Sequence, residues 1–197
     1  MSDGKIFVIG MNATGTSILH RAFQVMGLNS LHWAPEVGSL KSRMEEAKKF
    51  QFSLLNAIEA GKRDPLGDAS YFDVFSDVWP IIQYFEYFYS AYPGSKFIYT
   101  CRDDEEWLRD RERHVGRNKS ALESGDYVGS FVNVEREKWL KEKYNHLKRV
   151  KQWFSADGRS DDLLYFDLYK GDGFVELCDF LDCKLPERIF PLFGKVA

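Results

Sequence analysis

The sequence predicts an α/β fold: a three-layer sandwich in which helices cover both faces of a central, mostly parallel sheet. Three observations carry this. Short apolar runs rich in β-branched and aromatic residues alternate with longer stretches of helical spacing along the chain. The clearest runs lack the polar alternation of a half-solvated strand, as expected for strands buried on both faces. The first run ends in a glycine-rich turn that leads directly into a helix. With 197 residues, 44% of them hydrophobic and 16% aromatic, there is enough apolar material for one core, and one domain spanning 1–197 is expected.

The elements follow in order. Residues 5–10 (KIFVIG) read as a strand, and residues 17–26 as a helix carrying Ile18, Ala22, Val25 and Met26 on one face, ended by Gly27. Residues 30–33 suit a second short strand. Residues 43–60 form a helix with Ala47, Phe50, Leu54, Leu55 and Ile58 along one side, closed by Gly61. Residues 71–75 are strand-rich, 79–92 an aromatic helix stopped by Pro93-Gly94, and 96–101 (KFIYTC) a buried strand. Residues 104–113 resume helical character, 123–129 suit a mobile loop, and 133–154 form a long amphipathic helix. Residues 163–166 (LLYF) make a further strand, 173–181 a closing helix, and 186–197 a short ordered cap.

Charge and cysteine usage narrow the function classes. A formal charge of -3 argues against a chain that coats nucleic acid with a general basic surface, so any anion must be bound locally. No apolar run approaches the roughly 20 residues of a membrane span, and the first residues lack signal-peptide character, so a soluble, cytoplasmic protein is expected with neither membrane nor nucleic-acid partners. Cys101, Cys178 and Cys183 form no CxxC pair, which suits three reduced thiols and no metal site.

The sharpest feature is GMNATGTS at residues 10–17, between a predicted strand and a predicted helix. This arrangement aims backbone N–H groups and the positive end of a helix at one spot, where an anion is stabilised. A nucleoside triphosphatase would place lysine before the final hydroxyl residue; here Thr16 stands in that position. A kinase or phosphotransferase built on this loop would be expected to need magnesium and ATP.

This loop, its helix SILHRAFQVMG, the segment FSDVWP, the strand and turn AYPGSKFIYTCRDDEEWL, and DDLLYFDLYKGDGFVELCDFL together resemble the P-loop sulfotransferases that use 3'-phosphoadenosine 5'-phosphosulfate (PAPS), in the family order and over about residues 5–192. The resemblance implies a sulfotransferase-like fold and sulfuryl transfer from PAPS to a hydroxyl or amine of a small-molecule acceptor, leaving 3'-phosphoadenosine 5'-phosphate (PAP). It implies that Asn12, Ala13, Thr14, Gly15, Thr16 and Ser17 cradle the 5' group and that Arg102 holds the 3'-phosphate, a pairing that suits a guanidinium fork. Arg102 also reads as an ion-pair partner of Asp103 or Asp104.

Two positions depart from the family pattern. Ala13 stands where a lysine or arginine is usual, and Asp110 where a serine usually donates to the 3'-phosphate. Loss of a positioned cation costs several kcal/mol of transition-state stabilisation, so either another cation replaces it or the chain is an impaired, sulfotransferase-like binder of a nucleotide or other anion. Arg21, one helical turn after Ser17, is the first candidate substitute; Arg109, Arg111, Arg113 and Lys195 are others, each equally at home on a solvated face. Sulfuryl transfer also needs a base for the acceptor's proton. Asp77, between a predicted strand and helix, is the first choice, with an N-cap role as its alternative. His32 and His20 are further candidates that suit structural roles as well, and His146 reads as structural. The many aromatics, Trp33 and Trp79 among them, suit core or acceptor pocket.

Overall fold

The computed structural model describes residues 4–34, 39–156 and 158–191. Five strands, β1 (Ile6–Val8), β2 (Ser30–His32), β3 (Val74–Ser76), β4 (Lys96–Thr100) and β5 (Leu163–Phe166), form one sheet in the order β2-β3-β1-β4-β5, every pair parallel. Among the described residues seven α-helices accompany them: α1 (Thr16–Val25), α2 (Leu40–Glu59), α3 (Trp79–Gln83), α4 (Phe85–Ala91), α5 (Asp104–Glu123), α6 (Arg136–Phe154) and α7 (Phe174–Leu181). The expected α/β architecture is present.

Because side chains alternate along a strand, the central strand feeds both faces. Phe7 lies among Phe75, Phe88, Tyr92 and Phe97, with ring centroids 5.3–6.0 Å away, in the layer that also contains Phe85 of α4 and Phe154 of α6. Val8 points the other way, into a cluster with Ile18, Leu19 and Phe23 of α1 and Leu177 of α7. A third cluster, Trp107, Leu108 and Val115 of α5 with Trp139 of α6, lies beside the loop after β1. The chain leaves β1 for β2 and β3 on one side and for β4 and β5 on the other, so the order reverses beside β1, where a ligand crevice opens at the carboxyl ends of such strands.

Several boundaries differ from expectation. The predicted helix over 79–92 is two, broken at Tyr84 (φ −122°, ψ 36°). The helix expected over 104–113 continues to Glu123; Asp103 caps it, accepting from Glu106 N at 3.1 Å, and its acidic first turn complements the dipole. α2 starts three residues early because Ser39 accepts from Ser42 N. The third strand is Val74–Ser76, its predicted start falling in a 3-10 turn (Gly67–Tyr71). In the tail, Phe190 packs on Phe174 and Phe166, with ring centroids 4.9 and 6.2 Å away; the rest of the expected cap, Lys195 included, lies outside the described residues.

Candidate functional site

The loop after β1 is shaped by close approach and left-handed backbone. A Cβ on Gly10 would stand 1.9 Å from Thr100 Oγ1 and 2.6 Å from Thr100 N, so only glycine lets the end of β1 lie against β4. Ala13 (φ 63°) and Gly15 (φ 95°) are both left-handed, and such alternation turns successive N–H groups toward one concavity.

The loop's carbonyls and one hydroxyl are tied away from that concavity. Trp107 Nε1 donates to Asn12 O at 2.8 Å, Arg102 donates to Ala13 O at 2.8 Å, and Arg111 donates to Asn12 Oδ1. Thr14 donates its hydroxyl proton to Met11 O, so the 2.5 Å contact with Thr100 is a donation from Thr100 to Thr14. His146 Nε2 donates to Ile9 O at 2.6 Å, tying α6 to the same strand end. Among the described residues, the N–H groups of Gly15, Thr16 and Ser17 have no acceptor within the protein. Helix α1 carries no acidic residue in its first turn. The result is a concave set of free amides at a positive helix end.

A cation stands beside it. Arg111 is 6% exposed, its guanidinium 5.0 Å from the Trp107 ring, 4.7 Å from Phe131 and 4.5 Å from Trp139. Burial lowers its pKa to about 10, which leaves it charged at neutral pH, and its Nε has no partner among the described residues.

The carboxyl ends of the neighbouring strands add two titratable groups. Three of the four left-handed non-glycine residues among those described, Ala13, Trp33 and Asp77, follow β1, β2 and β3, and such strain gathers at functional sites. Asp77 (φ 56°) is half-buried and has no hydrogen bond among the described residues; desolvation raises its pKa from 3.8 to about 6 against the opposing pull of Arg111. The N-cap of α3 is Val78, so the capping role considered for Asp77 is not the one it plays. His32 Nδ1 lies 3.0 Å from Ser76 Oγ, which in turn lies 3.3 Å from Leu31 O. If the serine donates to that carbonyl, His32 carries its proton on Nδ1 and leaves Nε2 as an acceptor. Burial first, then His20 and Arg43, push the His32 pKa down to about 3. The His20 ring stacks on it at 5.5 Å and bonds Ser30 through Nδ1 at 2.8 Å.

A family model described as a sulfotransferase domain matches residues 5–195. The chain belongs to the sulfotransferase family. No curated protein matches it. Among the described residues, no helix is long and apolar enough to cross a membrane, and no group of three His, Cys, Asp or Glu side chains is arranged to hold a metal ion.

Arg102 pairs with neither Asp103 nor Asp104. It pairs with Asp110, which also takes Arg113 at 2.7 Å, and it stacks 4.2 Å from the Tyr169 ring. These contacts gather the loop, Arg102, Asp110 and Arg111 around α5. Arg21 is not in this gathering: it is exposed on the Ser17 side of α1 and lines a shallow groove with Gln24, Val25 and Arg188. Thr14 contributes no hydroxyl to the concavity, because that group is used within the loop; Thr16 is buried and Ser17 exposed. The sequence pattern does not reveal the bonds that Trp107, Thr100 and His146 make to the loop and the end of β1. For Arg111 a signal is present: Trp107, Arg111 and Val115 are spaced four apart, placing a charge on an otherwise apolar stripe.

Proposed function

We propose that this sulfotransferase transfers a sulfuryl group from a nucleotide phosphosulfate of the PAPS class to a hydroxyl or amine of a small molecule. The single observation that carries the reading is the loop: its carbonyls held outward by Trp107 and Arg102, its Asn12 side chain by Arg111, and its amides at Gly15, Thr16 and Ser17 left free. That cradle fits a phosphosulfate, whose anionic oxygens need donors and no acceptors. When bound, the donor supplies an activated sulfuryl group whose bridging S–O bond breaks toward the nucleotide phosphate.

The chain's own residues account for the remainder. The free amides hold the anionic oxygens, and Arg111 supplies at the loop the positive charge that Ala13 cannot. Asp77, ionised above about pH 6, takes the proton from the acceptor as its oxygen or nitrogen bonds to sulfur. His32, neutral through the physiological range, orients the acceptor.

A second reading, an impaired relative that binds a nucleotide without turning it over, is favoured by one observation: Asp110 already pairs with the Arg102 guanidinium. Incubation with PAPS and a panel of alcohols and amines, following release of PAP, separates the two. Acceptor-dependent release that disappears in Asp77→Asn supports transfer. Nucleotide binding without release supports the impaired reading, and binding of ATP only with magnesium refutes both.

A further inference from the structure

The Arg102 corner is electrically balanced without any ligand. The Arg102 side chain is 8% exposed, and its guanidinium meets Asp110, Ala13 O, the Tyr169 ring, and Glu106 at 4.0 Å. Asp110 gives its other oxygen to Arg113 at 2.7 Å. Two cations therefore face two carboxylates, and the acidic residues opening α5 are matched in turn, Asp104 by Lys143 and Glu105 by Arg136. The loop corner is the opposite, with free amides, no acid in the first turn of α1, and Arg111 alongside. One end of the site is thus positive and the other neutral but rich in hydrogen-bonding groups.

This difference selects among donors. A guanidinium only donates and a carboxylate only accepts, so the Arg102–Asp110 pair is complementary to a hydroxyl, which does both. A phosphate there brings acceptors and negative charge against the Asp110 carboxylate, which already holds one nitrogen of the guanidinium. We infer that Asp110 stands in for an anion at Arg102 and sets donor specificity, so that the site takes a nucleoside 5'-phosphosulfate with an unphosphorylated ribose at least as well as the 3'-phosphorylated form. The inference rests on the nucleotide reading above and on Arg102 facing the ribose.

The probes are adenosine 5'-monophosphate and PAP, titrated calorimetrically without magnesium into the parent protein, Asp110→Asn and Asp110→Ser, with thermal unfolding of each as a check of folding. The parent is expected to bind the monophosphate as tightly as PAP or more so. Each variant is expected to move the ratio of the two affinities toward PAP by about tenfold or more, the size of a charge-assisted hydrogen bond formed where a like charge has been removed. A parent that prefers PAP by about tenfold overturns the inference but leaves the nucleotide reading intact, as does an unchanged ratio in the folded variants. If neither nucleotide binds parent or variants, the nucleotide reading falls and the inference with it.

Discussion

Replacing Asp77 with asparagine isolates the cost of keeping a carboxylate ready to act as a base. Asparagine has nearly the same shape and tolerates the left-handed backbone at this position (φ 56°), so the change removes a charge and little else. Raising this group from 3.8 to about 6 corresponds to about 3 kcal/mol, at 1.36 kcal/mol for each tenfold. Residual solvent contact reduces this, and a gain of about 2 kcal/mol is expected for Asp77→Asn at pH 8, about 4–8 °C in Tm.

The sign follows from proton uptake. The folded form holds its Asp77 proton to higher pH than the unfolded chain, so the carboxyl is tolerated below about pH 4 and costs stability as pH rises through about 6. Asp77→Asn should therefore match the parent near pH 4 and exceed it near pH 8. His32 slopes the other way: held at about 3, below its ordinary 6.5, it favours the folded form above 6.5 and loses that contribution as pH falls toward 3. Only the difference between variant and parent, measured by urea unfolding at both pH values, isolates Asp77. A variant less stable than the parent at pH 8, or an excess that is equal at the two pH values, would refute the argument.

Gly10→Ala should lower stability by about 3 kcal/mol or more, because its Cβ would fall 2.6 Å from the Thr100 backbone nitrogen; denaturant unfolding measures this, and a loss below about 1 kcal/mol contradicts it. Arg111→Met keeps the bulk among three aromatic rings and should change stability by no more than about 2 kcal/mol while weakening nucleotide binding about tenfold. The same change removes the cation that lowers Asp77, so the acid limb of any turnover profile should move to higher pH. The His32 ring nitrogens, followed by NMR, should keep their neutral pattern at pH 5; an imidazolium signature there contradicts the burial argument.

The strand order along the chain and the loop were legible in the sequence because their signals are local. Phe7, Val8 and Ile9 form an unbroken apolar run, and Gly10 and Gly15 mark backbone that other residues resist. The break at Tyr84 was not legible, since the aromatic residues on both sides of it suit one helix as well as two. The far half of α5 was hidden for a different reason: beyond Arg113 only Val115 is buried, so the helix runs on without the apolar stripe that would announce it. The resemblance brings Arg102 and Asp110 to one phosphate position, but their direct ion pair was not legible, since Asp103 and Asp104 stand nearer to Arg102 in the chain.

The residues that shape the loop also bear on the order in which the molecule is made. Thr100, Arg102, Trp107 and Arg111 meet it across separations of 86, 89, 95 and 99 residues. A nascent chain that has released β1 and α1 holds the complete GMNATGTS motif but none of the struts that fix its carbonyls and side chains. Such distant closures come late because chain entropy is lost before the new interactions can offset it. The anion cradle is thus a product of completed folding, and a ligand that settles in it holds together both halves of the sheet at once.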